Sequence, residues 1–307
     1  MRIAVIGAGG VGGYFGARLA EAGNAVQFLA RGRHLAAMRA NGLRIESESG
    51  TTHLPHPDAT DAPSQLRTAD VVLVTVKLWD LQQTGRDIAP AIGTDTVVIP
   101  FQNGVEAADL LGASIPREHI AGGVAYIAAT IREPGVIVTT GKMAKLRFGP
   151  LLEAQRPLLD ALNAACKAAG VDADITPDIR RTLWEKFVFL NALSGVTAVS
   201  RQPVGVVRTD PDLRATIEAS MIETQKLAGA NGVALPEGFV AAQMQFLDTL
   251  PDGMRSSMQN DLVAGNRLEA PWLCGAVARM HAVRGSAAPI NRTLYAALKP
   301  YVDGKGA

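Results

Sequence analysis

The stretch Arg2-Ile3-Ala4-Val5-Ile6-Gly7-Ala8-Gly9-Gly10-Val11-Gly12-Gly13 decides the fold. Five strand-forming residues run straight into Gly-x-Gly-x-x-Gly, and a helical pattern of apolar and small residues follows to position 22. In such a strand–turn–helix, Gly7 permits the tight turn and Gly9 lets a ligand approach the backbone. Gly12 lets helix and strand pack closely. The helix N-terminus presents N–H groups with no intrahelical partner at the positive end of its dipole, a ready site for a pyrophosphate. Gly7, Gly9, Gly10, Val11 and Gly12 are therefore candidate contacts to a dinucleotide. The bland alternative is a glycine-rich packing turn without a ligand. A second strand at 25–29, at the right distance, favours the dinucleotide.

Working outward, strands are expected at 2–6, 25–29, 71–76, 96–99, 122–129 and 171–175, and helices at 11–22, 33–40, 81–91, 105–110 and 153–169. The run Val71-Val72-Leu73-Val74-Thr75-Val76 is apolar almost throughout, as in a parallel strand covered on both faces. Alternating strands and helices imply an open, doubly wound α/β sheet. Two hairpins are expected, at 43–54 around Ser49-Gly50 and at 135–149 around Thr140-Gly141. After about residue 175 the pattern becomes helical, with helices at 179–199, 211–230, 236–249, 256–266, 271–283 and 291–299. Pro211, Pro236 and Pro271 stand at or near first turns. The expected division is a nucleotide-binding domain over 1–175 and an all-helical substrate and catalytic domain over 176–307.

The composition narrows the partners. The 307 residues are 48% hydrophobic and 19% charged, which excludes disorder, collagen and coiled coil. Thirty Lys and Arg against 29 Asp and Glu leave a net charge of +1, so no basic excess points to nucleic acid. A small ligand is expected instead. Cys166 and Cys274 are far apart and outside any CxxC pair, which reads as a reducing compartment. No apolar run approaches the roughly 20 residues that span a bilayer, so the reading is a soluble, cytoplasmic protein with no membrane partner. His53 and His56 lack further ligands at metal spacing, and no metal is expected.

Site candidates follow the strands. After the second strand stands Ala30-Arg31-Gly32-Arg33-His34, without the acid that usually takes the ribose hydroxyls of NAD. Arg31, with Arg33 as a second candidate, suits a 2′-phosphate, so NADP(H) is the expected cofactor; a solvated basic loop is the alternative. Lys77 follows the strand at 71–76, and Gln102-Asn103-Gly104 follows that at 96–99. Both are positions where ligands sit in such sheets. In Leu183-Trp184-Glu185-Lys186-Phe187-Val188-Phe189, one lysine lies within an apolar stretch. Partial desolvation would lower its pKa toward neutrality and suit it to proton donation, while a snorkelling lysine explains it equally well. Ser256, Ser257 and Glu269 carry no distinctive local signal; Ser256 could simply cap a helix.

Taken in order, these strings resemble the ketopantoate reductase (2-dehydropantoate 2-reductase) family over nearly the whole chain. The resemblance rests on the glycine motif, the residues around Arg31, Val76-Lys77-Leu78-Trp79-Asp80 and Gln102-Asn103-Gly104. It extends through the segment around Lys186 and that from Ser256 to Glu269. It implies an N-terminal Rossmann-type domain joined to a helical domain and NADPH-dependent reduction of a 2-oxo acid, most readily ketopantoate to pantoate in pantothenate biosynthesis. It makes Lys186 the proton donor and Glu269 its active-site partner. Ser257 becomes a substrate contact, and Lys77 and Asn103 become cofactor and substrate positions. A break near Gly265, or an indirect role for one of the two, is then required, since on one straight helix Ser257 and Glu269 would be about 18 Å apart. The chain departs from the family where asparagines four and eight residues after the lysine become Leu190 and Ser194, and a further one becomes Val204. Asn191 is turned about 140° from the lysine face, whereas Thr197 returns close to it. Ser194 and Thr197 are thus the remaining polar substrate candidates. A more apolar 2-oxo acid stays open as the substrate. A non-enzymatic NADPH sensor is the reading from another class, and a homodimer is the candidate assembly.

Overall fold

The computed structural model describes residues 1–48 and 50–305; Ser49 of the expected Ser49-Gly50 turn lies outside the described residues. The chain forms two compact units, one of Met1–Gln102 and Glu106–Ile179, the other of Asn103–Val105 and the chain from Arg180 on. The first carries β1 (Arg2–Ile6), α1 (Gly10–Glu21), β2 (Ala25–Leu29), α2 (Gly32–Asn41), β3 (Leu43–Ser47), β4 (Gly50–Leu54) and β5 (Asp58–Thr60). It continues with β6 (Ala69–Val74), α3 (Leu81–Asp87), β7 (Ile92–Pro100), α4 (Ala107–Gly112), β8 (Gly122–Glu133), β9 (Val136–Gly149), α5 (Arg156–Ala168) and β10 (Asp172–Ile175).

Strands β5, β2, β1, β6 and β7 form a parallel sheet in that order. Val71, Val72, Leu73 and Val74 of β6 are all buried, as their unbroken apolar run requires. The doubly wound α/β reading therefore holds, with one difference: the expected strands at 122–129 and 171–175 are not in this sheet. They belong to a second one, ordered β10-β9-β3-β4, with β8 also paired to β9. The hairpin at 43–54 is present as antiparallel β3 and β4, and it places His53 in a strand with its Nε2 3.0 Å from the Asn41 carbonyl.

The hairpin expected at 135–149 is incorrect. Residues 136–149 are one long strand, and the reversal lies at Pro134-Gly135, where Gly135 has φ +82°. Strand β8 runs on to Glu133 and pairs antiparallel with β9. Thr140-Gly141 marks a bulge: Ile127 pairs with Ala144 but Ala129 pairs with Thr139, so residues 140–143 are looped out. Gly141, at φ +74°, supplies the left-handed backbone of the bulge, a demand that resembles a turn in sequence.

The second unit is helical: α6 (Ile179–Ser200), α7 (Val204–Thr209), α8 (Pro211–Ala230), α9 (Phe239–Thr249), α10 (Ser257–Ala264), α11 (Cys274–Val283) and α12 (Pro289–Leu298). Pro211 opens α8, whose N-cap Asp210 accepts the backbone N–H groups of Asp212 and Leu213. Pro236 precedes its helix by a left-handed Gly238, and Pro271 lies in a short 3₁₀ turn before α11. Behind α6 runs a buried polar seam. Asn191 donates to Thr224 Oγ1 and Asn291 Oδ1, and Ser220 also donates to Asn291 Oδ1. The Glu223 carboxylate accepts the backbone N–H groups of Ile290 and Asn291 and the Asn291 side-chain amide at 2.8–2.9 Å. Glu223 thus caps the N-terminus of α12, where no nearby side chain does so.

Candidate active site

In the first unit, Gly7 turns the chain out of β1 at φ +99°, and its N–H donates to the Leu29 carbonyl. A Cβ on Gly12 would collide with the Gly7 carbonyl and Thr75 Oγ1, and one on Gly10 with the Ala129 carbonyl. Those two glycines let α1 pack against its surroundings. Gly9 differs: a Cβ there meets nothing within 4 Å. It is the N-cap of α1, so the space beside the start of the helix is open on the side of a Gly9 side chain, and the residues present fit a pyrophosphate. Because Gly9 has φ −72°, Gly9→Ala is expected to leave Tm unchanged yet weaken dinucleotide binding about tenfold or more, measurable by calorimetric titration. Unchanged binding would remove Gly9 from the cradle.

Thr75 and Asp80, which the sequence did not offer as site candidates, and Gln102 of the Gln102-Asn103-Gly104 string build the surrounding edge. Thr75 donates to the Gly7 carbonyl at 2.6 Å and closes the glycine turn. Gln102 donates to the carbonyls of Val74 and Val76, pinning the ends of neighbouring strands just before Asn103. Asp80 lies 3.1 Å from Arg31 in an ion pair. Lys77 is exposed, with its ammonium 5.6 Å from the centre of the Trp79 ring.

In the second unit, Lys186 of α6 donates through Nζ to Asn103 Oδ1 at 3.0 Å. Gly104, at φ +89°, lets Asn103-Gly104 lie against the turn after Glu269, where a Cβ would sit 3.1 Å from the Trp272 carbonyl. Burial pushes the Lys186 pKa down to about 8, and the Glu269 carboxylate works in the opposite sense. Glu269 itself is only 7% exposed. The break required between Ser257 and Glu269 is present, because α10 ends at Gly265 with φ +69°.

The other candidates are dispersed. Ser256 caps α10 by accepting the Gln259 N–H, while Ser257 is exposed at the first position of that helix. Thr197 is fully buried; it donates to the Leu193 carbonyl at 2.7 Å and lies 2.8 Å from Ser256 Oγ. Its one proton is therefore committed within the fold. Ser194 is buried and its Oγ has no hydrogen-bond partner, and Val204 is buried as well. Among the described residues, no helix is long and apolar enough to cross a membrane.

The family model described as "Ketopantoate reductase PanE/ApbA" matches residues 3–153, and "Ketopantoate reductase PanE/ApbA C terminal" matches residues 178–302. A 2-dehydropantoate 2-reductase of Halobacterium salinarum is 30% identical over 298 residues, 96% of this chain and 96% of that protein. The crystal structure of a 2-dehydropantoate 2-reductase from Geobacter metallireducens superposes with a TM-score of 0.91 at 31% identity, over 98% of this chain and 99% of that one. A D-mandelate dehydrogenase solved with NADH and anilino(oxo)acetate shares the fold, with a TM-score of 0.89 at 21% identity over 98% of each chain. With both halves matched in order, the chain belongs to the ketopantoate reductase family and is a pyridine-nucleotide-dependent oxidoreductase of the 2-dehydropantoate 2-reductase type.

Proposed function

We propose that this protein reduces a 2-oxo acid to the 2-hydroxy acid with NADPH, ketopantoate being the leading substrate. The observation that carries this reading is the Lys186 ammonium, partly withdrawn from water, bonded to Asn103 and opposed by the Glu269 charge. The first unit holds the nucleotide along the glycine turn and Arg31; the second supplies the proton donor and the substrate contacts. When bound, the reduced nicotinamide supplies a hydride. The chain's own residues then manage the charge that develops on the carbonyl oxygen. Lys186 stabilises it through its ammonium and passes a proton from Nζ to it. Asn103 holds Nζ in place, and Glu269 keeps that ammonium protonated near neutral pH. Ser257, exposed at the first turn of α10, is the group assigned to the substrate carboxylate in this reading.

A more apolar 2-oxo acid is the second reading. Leu190 and Val204 offer no hydrogen bond, and the Thr197 proton is already engaged, so of the two hydroxyl candidates Ser194 and Thr197 the former is left. A D-mandelate dehydrogenase on this fold acts on an aromatic acid by its name, which keeps that class in the panel. The deciding experiment compares kcat/KM across ketopantoate and close aliphatic and aromatic 2-oxo acids with NADPH. A ketopantoate value far above the rest supports the first reading; a higher value for an apolar acid establishes the second. NADPH binding without turnover of any acid would overturn both.

Two variants test the parts. Arg31→Ala should raise the Kd for NADPH about tenfold or more while changing that for NADH little, because only NADPH carries the 2′-phosphate. Equal losses would remove Arg31 from that role. The kcat/KM for reduction should fall as pH rises through about 8, as Lys186 loses its proton. Glu269→Gln removes a charge that raises the Lys186 pKa, so this alkaline limb should move to lower pH. A limb that stays in place would exclude Glu269 from tuning the lysine.

A further inference from the structure

The acid missing after β2 is supplied from elsewhere in the chain. Asp80 ends the 3₁₀ turn Leu78–Asp80 that follows β6, and its Oδ2 lies 3.1 Å from Arg31 Nη2. Strands β2 and β6 flank β1 on either side. The pair therefore joins the two chain segments that border the glycine turn after β1, at the edge of the sheet where the nucleotide is proposed to rest. Both partners are open to water, Arg31 at 71% and Asp80 at 38% side-chain exposure, so little holds the pair together beyond its own attraction. A phosphate dianion near Arg31 meets a guanidinium already facing a carboxylate. It must share or displace that carboxylate, whereas a ribose hydroxyl meets no such opposition.

Resting on the assignment of Arg31 to the 2′-phosphate, we propose that Asp80 is a specificity-determining residue that competes with the phosphate for Arg31 and so narrows the preference for NADPH over NADH. An acid on the β2 loop would exclude the phosphate outright. An acid delivered on a separate loop, paired at the surface, sets a margin instead.

The test uses equilibrium binding to the full-length protein, read by nucleotide fluorescence, for wild type, Asp80→Asn, Arg31→Ala and the double variant. Asp80→Asn should tighten NADPH about two- to fivefold and leave NADH unchanged, the scale of an exposed ion pair converted to an affinity ratio. In the Arg31→Ala background the same substitution should bring no gain. Unchanged or weakened NADPH binding in Asp80→Asn, with Arg31→Ala still losing NADPH affinity and keeping that for NADH, overturns the competition and leaves the Arg31 assignment standing. Equal loss of both nucleotides in Arg31→Ala overturns that assignment, and the competition with it.

Discussion

Lys186→Met is expected to lower kcat for 2-oxo acid reduction by about 10²–10⁴-fold, the range a positioned proton donor contributes, while NADPH still binds. Steady-state kinetics and nucleotide titration on the same preparation check both halves; turnover near the wild-type rate would sink the assignment. The substitution should also leave the fold no less stable. The folded protein holds this lysine near pKa 8, against 10.5 for the free side chain, so below about pH 8 folding bears the cost of keeping it charged. That cost fades as pH rises from about 8 toward 10.5. The Tm of Lys186→Met should accordingly match or exceed that of the wild type at pH 7, and the difference should shrink in alkaline buffer. A site that costs stability and supplies rate is the usual relation between a buried ionisable group and catalysis.

The second large effect is one of stability. Glu223→Ala removes the acceptor for two backbone N–H groups and one side-chain amide at the start of α12. Leaving these groups unpaired in the interior should cost about 3 kcal/mol or more. Tm should then fall by about 6–12 °C, on the scale of a domain of this size. Glu223→Gln, which keeps one acceptor oxygen, should lie between the two. An unchanged Tm in Glu223→Ala would show that the capping bonds are replaced by water at no cost.

What could be read from the chain divides along physical lines. The strand–glycine–helix unit was legible because its requirements are local: an unbroken buried run from Ile3 to Ile6, a positive-φ turn at Gly7 and close packing at Gly12. The helical second half was legible for the same reason, from periodicity and from Asp210-Pro211 at a helix start. The reversal at Gly135 was misplaced because Gly141 makes the same backbone demand for a different purpose, a bulge within a continuing strand. Partners far apart in sequence left no local trace. Nothing near Arg31 announces Asp80, 49 positions on, and nothing near Pro289 announces Glu223. Thr197 shows a further limit: helical geometry places it on the lysine side, but only the structure reveals that its hydroxyl already has a carbonyl to bond.

The membership of Asn103, Gly104 and Val105 in the helical unit, although the chain re-enters the first unit at Glu106, bears on how such enzymes can be recombined. The two halves are not independent cassettes. A fragment starting at Arg180 carries the lysine without its amide partner, and a fragment ending before it carries the amide without the lysine. A chimera that exchanged only the C-terminal half between relatives would pair one parent's ammonium with the other parent's amide. Inheritance of the site is thus split across two stretches of the gene that must vary together.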